Sequence, residues 1–343
     1  MLQFLLRRLL QAIPTIFGIS ILAFGIMVAA PGGPTAAMKL DPRLSTAQRE
    51  KAQRELGVRD SVAIQYLRWL IGDDWYTYEF TDDDGTTVEK QGESKGILRG
   101  DFGRSFTHRR PVFDLMKDKI QPTAELGLFS LFFSFLLGIP VGILAAIKPN
   151  GIFDNITRVF AVVFSAVPQF LLGLMLLLAF GSYLGWLPLG GRCPVSISGE
   201  CSLADRAERL ILPVFALSTG GIAVLSRYTR SSMLDVLNKD YVRTARAKGL
   251  SGNAVFYRHA FRNAMIPLAT FLGPAIPGIL GGAVVIEQIF SWQGLGRVAL
   301  EATLQQDYPV VMAFVIFGGI STIIGYLISD VLYAWIDPRI RLG

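Results

Sequence analysis

Gly294-Leu295-Gly296-Arg297-Val298-Ala299 matches the G-x-G-x-x-A pattern, whose glycines let backbone N–H groups approach a dinucleotide pyrophosphate. That chemistry needs a strand before the glycines within a βαβ unit, and no such unit surrounds them. No Gly-Lys dipeptide occurs, so a phosphate-cradling P-loop is excluded as a route to ATP hydrolysis. His108 and His259 fall on opposite sides of the membrane in the topology derived below, so they cannot share a metal. Cys193 and Cys201 have seven residues between them, with Pro194 and Gly199 able to bend the chain. On an oxidising side of a membrane they could close a small disulfide loop; two unpaired thiols are the alternative. No catalytic, metal-binding or cofactor-binding residue is expected in this chain.

Composition explains the scarcity. Apolar residues make up 51% of the 343 and charged residues 17%, below the roughly 25% of soluble domains. Mean hydropathy is +0.43. Six stretches lack Asp, Glu, Lys and Arg over a length near the ~20 residues that cross a bilayer as a helix: 9–30, 126–147, 159–191, 210–226, 263–286 and 308–329. Lipid leaves unpaired backbone groups unsolvated and strand-type alternation is absent, so these read as helices. The third exceeds one crossing and is expected to turn out of the membrane near residues 184–188. Pro140, Pro168, Pro213, Pro274 and Pro277 are tolerated in such helices and mark kinks. The first stretch is longer than a signal peptide's apolar core and is expected to remain as an anchor. An ion-driven carrier or an intramembrane protease would need ionisable groups inside the spans, and Glu125, Glu287 and Asp330 are expected only at span ends, in reach of water.

The net charge of +6 follows the membrane rather than a nucleic acid. Arg7, Arg8, Lys148, Arg158, the cluster Arg227, Arg230, Lys239, Arg243, Arg246, Lys248, Arg258 and Arg262, and finally Arg339 and Arg341, fall on one side of six crossings. That side is cytoplasmic and holds both termini. The other side receives residues 31–121, where Ser45 and Gly57 bracket an expected helix at 47–56, and Trp75–Val88 reads as a hairpin turning at Asp84-Gly85. This segment is either a solvated cap or a docking surface.

Two places carry functional expectations. In the fifth stretch, Gly273, Pro274, Pro277, Gly278 and Gly282 combine helix breakers with a Gly278/Gly282 small-xxx-small pair, which suits tight packing, a kinked helix lining a translocation path, or both. In the cytoplasmic loop 240–263, Asp240 can N-cap a helix, Gly249 can end it in a left-handed conformation and Ser251 can cap the next. The loop is either a basic, lipid-touching hairpin or a coupling element for a cytoplasmic motor.

With these residues in order, the chain resembles the permease subunits of type I ABC importers, in particular the B-type permease of oligopeptide, dipeptide and nickel systems. The resemblance rests on Leu6-Arg7-Arg8-Leu9, Gln65-Tyr66-Leu67-Arg68-Trp69-Leu70, Gly100-Asp101-Phe102-Gly103-Arg104-Ser105-Phe106, the loop 240–263, Glu287 through Arg297, Asp307-Tyr308-Pro309 and Asp337-Pro338-Arg339. It implies that Arg243, Thr244, Ala245, Gly249 and Ser251 form the ATPase-coupling loop, although the family's E-A-A-x-x-x-G pattern is met only at Ala245 and Gly249. Residues 72–95 look inserted, and Tyr326 stands where Asn is expected.

The expectation is an all-α integral membrane protein with six transmembrane helices and cytoplasmic termini. It divides into an anchor (1–30), an extracytoplasmic segment (31–121), a permease core (122–336) and a cytoplasmic tail (337–343). The resemblance implies half of an importer's pathway for short peptides or a chelated small solute, in the bacterial cytoplasmic (inner) membrane. It implies a second related permease, two ATPase subunits holding ATP and Mg, and an extracytoplasmic substrate-binding protein, with lipid but no nucleic acid as further partner. A self-contained secondary carrier or channel is the alternative.

Overall fold

The computed structural model describes residues 2–30, 60–81, 87–92, 94–194, 201–265, 268, 271–280 and 283–336. The expected helix at 47–56, the Asp84-Gly85 turn, Gly282 and the tail 337–343 lie outside the described residues.

Among the described residues, five stretches are long and apolar enough to cross a bilayer: Leu6–Ala29, Val112–Ile147, Leu203–Leu237, Leu272–Ile289 and Tyr308–Leu332. The third expected crossing is bent: Ile152–Ala166 and Gln169–Tyr183 form a pair at 98°, with the break inside the apolar stretch 159–191. Pro168 lacks an N–H, and its ring drives Val167 out of the helical region, to φ −78° and ψ 123°. The chain also leaves the helix after Tyr183, where Gly185 adopts φ 63°. The fifth crossing is interrupted too: Leu272–Leu280 and Val284–Ile289 are separate helices, with Ala283 at φ −85° and ψ 67° between them. Leu203–Leu237 starts earlier than its apolar stretch because Ser202 and Asp205 close a capping box.

The chain divides into two compact units. The first comprises Leu6–Lys119 and Val298–Ile320. Here α1 (Leu2–Ala29) buries Ala23 and Phe24 against Met312, and Tyr66 and Trp69 of α2 (Val62–Ile71) pack on the same cluster. Strands β1 (Thr77–Thr81) and β2 (Thr87–Gln91) pair antiparallel in the register Thr77↔Gln91 to Thr81↔Thr87, so the helical architecture carries one two-stranded ribbon. Two motifs distant in sequence meet in this unit. The buried Asp307 carboxylate accepts the Ser105 hydroxyl at 2.5 Å and the N–H groups of Phe106 and Thr107 at 3.1 Å.

The second unit comprises Met1–Leu5, Ile120–Arg297 and Ser321–Gly343. Most of α3 (Val112–Ile147) packs here on α6 (Leu203–Leu237), with α4 (Ile152–Ala166) and α5 (Gln169–Leu176) beside it. A Cβ on Gly142 would stand 2.4 Å from the Ser226 carbonyl oxygen, and one on Gly138 would stand 2.8 Å from Leu225 Cβ. This i, i+4 glycine pair is what lets the two helices touch. Asp154, fully buried, takes a bidentate pair of bonds from Arg230 at 2.5 and 2.6 Å and the Asn150 N–H at 2.7 Å. Arg230, read from sequence as an orientation charge, therefore also ties α4 to α6.

Candidate functional site

The expected coupling loop is built on the end of α6. After Leu237 the chain turns through Asn238 and enters α7 (Asp240–Ala247). The N-cap is Lys239, with an extended backbone and no side-chain cap, so the expectation for Asp240 shifts by one position. Asp240 is the first helical residue, where its negative charge complements the helix dipole. The C-terminus closes as a Schellman motif: Gly249 donates to the Arg246 carbonyl at 3.0 Å and Leu250 to the Ala245 carbonyl at 3.3 Å. Gly249 takes φ 77°, the left-handed conformation that a side chain opposes. Ser251 then accepts the Ala254 N–H at 3.4 Å and opens the next helical turn.

Val242, Ala245 and Val255 are buried together against Val236 and Leu237. The small side chain of Ala245 packs inside this loop. Met233, Ala260 and Ala264 form a second buried cluster with Ala146, so the loop is seated on both α6 and α3. The outward surface carries Tyr241, Arg243, Thr244, Arg246, Lys248, Gly249, Leu250 and Ser251. Three cations around an exposed tyrosine and leucine suit an acidic, partly apolar protein groove.

A cavity of about 180 Å³ lies elsewhere in the same unit, lined among others by Thr123, Leu126, Ser130, Ser134, Leu217, Ala275, Gly278 and Ile279. It is bounded by α3, α6 and α8 (Leu272–Leu280). Of the residues proposed from sequence to line a path, Gly278 is on it. No atom lies within 4 Å of a Cβ added there. Gly273 and Pro277 are not on this wall: Gly273 packs against Ser329, and Pro277 against Gly325, both on the last helix (Tyr308–Ile336). Pro274 is exposed and absent from the lining. The hydroxyl lining was missed in sequence. Ser130 and Ser134 repeat at i, i+4 and donate to the carbonyls of Leu126 (2.6 Å) and Ser130 (2.7 Å), a pattern that a search for ionisable groups passes over.

Glu287 is corrected most sharply. It is fully buried rather than water-accessible, and its carboxylate accepts the Thr123 hydroxyl and the Arg297 N–H, both at 2.9 Å. Thr123 Oγ1 in turn accepts the Leu295 N–H at 2.7 Å, and the Trp292 indole donates to the Pro122 carbonyl at 2.8 Å. A Cβ on Gly294 would stand 2.4 Å from both Glu287 Oε1 and Thr123 Oγ1. The dinucleotide-like glycine thus serves a close approach between a turn and a carboxylate.

The loop after Tyr183 is pinned at several points. Gly191 donates to the Phe290 carbonyl at 2.7 Å, and Arg192 grips Glu125 with two bonds of 2.5 and 2.8 Å. Arg209 donates to the Gly190 carbonyl. Cys193 and Cys201 stand with their sulfurs at bonding distance and their Cα atoms 5.4 Å apart. Among the described residues no group of three or more His, Cys, Asp or Glu could hold a metal.

Comparison with known proteins matches two family models. Residues 138–342 match the binding-protein-dependent transport system inner membrane component, and residues 1–127 match its N-terminal companion. The oligopeptide transport system permease protein AppB of Bacillus subtilis (strain 168) is 40% identical over 342 residues, 99% of this chain and 100% of that one. The dipeptide transport system permease protein DppB of Escherichia coli (strain K12) is 36% identical over 360 residues, 99% of each chain. The glutathione transport system permease protein GsiC of the same strain is 35% identical over 341 residues, again 99% of each. Among solved structures, the inward-facing MetNI methionine ABC transporter aligns with TM-score 0.49 at 17% identity, over 65% of this chain and 96% of that one.

Proposed function

The chain belongs to the family of binding-protein-dependent transport system inner membrane components, and from that premise we propose that it forms half of an import pathway for short peptides. It is a permease subunit of an ABC importer and a multi-pass protein of the bacterial inner membrane, not a self-contained secondary carrier. ATP binding in such importers belongs to partner ATPases, and a substrate-binding protein delivers the cargo. The finer reading adds six spans with both termini in the cytoplasm, a second related permease and two ATPase subunits docking on Arg243 through Ser251. Relatives named for oligopeptide, dipeptide and glutathione transport support a cargo with peptide bonds.

The observation that carries the pathway is the cavity beside Gly278, whose hydroxyls and carbonyls can exchange hydrogen bonds with a peptide backbone without holding it by charge. Gly278→Leu tests it, because the added side chain starts in open space. Peptide uptake by the reconstituted complex should be lost while the ATPase still co-purifies. Undiminished uptake would remove this cavity from the pathway.

A further inference from the structure

Helix α2 is built the wrong way round for water. Its sequence Val-Ala-Ile-Gln-Tyr-Leu-Arg-Trp-Leu-Ile has one charged residue, Arg68, and that residue is 6% exposed. The guanidinium donates to Asp60 at 2.8 Å and Asp73 at 3.1 Å and sits over the Tyr76 ring at 5.1 Å. Val62, Ala63, Leu67 and Ile71 form the exposed face. A helix at a water surface points its charge outward and its apolar stripe inward. Here the one charge points inward, beside Tyr66, Trp69 and Leu70, and the exposed face is wholly apolar, so the outward solvent is apolar.

Its place along α1 says which apolar solvent. Tyr66 and Ser20 share a hydrogen bond of 2.7 Å between hydroxyls, and Phe24 packs its ring 5.4 Å from Tyr66 and 5.6 Å from Trp69. At 1.5 Å per residue, Ser20 is about 13 Å inside the C-terminal end of α1. A hydrocarbon core is about 30 Å thick, and Phe24 lies nearer that end than Ser20, so α2 meets α1 within the leaflet that holds this end. Ile21, Leu22 and Ile26 of α1 are themselves exposed, which extends the apolar surface across both helices. Trp75 and Leu98, also exposed, follow α2. The Trp75 indole N–H is satisfied by the Gly72 carbonyl at 2.6 Å, so the ring can face lipid without an unpaired donor.

We propose that α2 is a membrane-embedded helix whose Val62, Leu67 and Ile71 contact lipid acyl chains in the leaflet holding the C-terminal half of the first span. Lipid is the occupant because the depth excludes a water-soluble binding protein and the exposed face continues the lipid-facing surface of α1. The inward Arg68–Asp60–Asp73 network lets the polar segment that follows leave the membrane without exposing a charge to hydrocarbon. The proposal rests on reading α1 as a span.

The test uses the full complex in phosphatidylethanolamine–phosphatidylglycerol vesicles, with the photo-crosslinking residue benzoylphenylalanine replacing Leu67 in one variant and Leu22 in another. After irradiation, mass spectrometry of this chain should show a mass shift of one phospholipid at both positions. A lipid adduct at Leu22 with a protein crosslink, or no adduct, at Leu67 would overturn the proposal and leave the span intact. No lipid adduct at either position would overturn the span reading and the proposal with it.

Discussion

Replacing Gly249 with valine is the sharpest probe of the proposed coupling loop. Gly249 sits at φ 77° with nothing within 4 Å of an added Cβ, so a larger residue meets no neighbour and the cost is confined to the backbone. For a residue with a Cβ, the left-handed conformation costs roughly 1–2 kcal/mol, and for a β-branched one it is a genuine outlier. Relaxing that strain releases the two hydrogen bonds from Gly249 and Leu250 and re-aims the turn at Ser251. A change of that size shifts a conformational equilibrium by about 5- to 30-fold. Uptake per ATP hydrolysed by the reconstituted complex should fall by that order, while membrane insertion is unchanged and the ATPase still co-purifies. Asparagine visits the left-handed region several-fold more often than other side chains, so Gly249→Asn should lose much less. Normal coupling in Gly249→Val with the motor bound would refute the loop's role. Equal losses in the Val and Asn variants would refute the backbone argument.

Three further outcomes follow from packing and charge. Gly142→Leu must push against the Ser226 carbonyl, a backbone group that cannot turn aside, and should lower the melting temperature of the solubilised chain by an overpacking cost of about 1–3 kcal/mol. Gly278→Ala in the same assay should change nothing, because its Cβ enters open space. Asp154→Asn leaves the Arg230 guanidinium without its counter-charge at a buried site and should cost about 3–5 kcal/mol, part of which Asp154→Asn with Arg230→Gln recovers. Non-reducing mass spectrometry of protein isolated from cells should recover Cys193 and Cys201 in one linked peptide pair, and two free thiols would refute the bridge.

What could be read from sequence depended on how local the physics was. Gly249 was legible because glycine after a capped, basic helical stretch has few other uses, and the Schellman bonds involve only near neighbours. Pro168 was visible too, but whether proline kinks a span or folds it by 98° depends on what packs around it. The glycine pairs show the limit more clearly. Gly138/Gly142 and Gly278/Gly282 share one spacing, and only the fold shows that Gly142 touches a neighbouring backbone while Gly278 borders a cavity. Glu287 read as a water-exposed span end because its apolar neighbours stop there, yet Thr123, which takes part in burying it, lies 164 residues away. The wholly apolar exposed face of α2 was likewise hidden, since an amphipathic pattern does not say which side faces the solvent.

The long helix α6 offers a physical link between the loop and the cavity. Leu217 lines the cavity and Leu237 supports the buried face of the loop, about 30 Å away along one unbroken helix. At its loop end, Met233 is locked with Ala146, Ala260 and Ala264, and the close approach at Gly138 and Gly142 binds α3 to the same helix. Thr123, Leu126, Ser130 and Ser134 therefore belong to a pair of helices that the loop can carry as one body. The opposite wall, Ala275, Gly278 and Ile279, lies on α8, which is interrupted at Ala283 and does not share that rigid seat. If the loop is the coupling element proposed above, its motion displaces a stiff wall against a broken one, and the volume between them changes. Reciprocity then requires that cargo preferring one volume alter the affinity of the loop for its motor. A cavity whose lining side chains are hydroxylic or apolar, with no charge among them, suits the proposed task, because it would report on shape for many peptides and on charge for none.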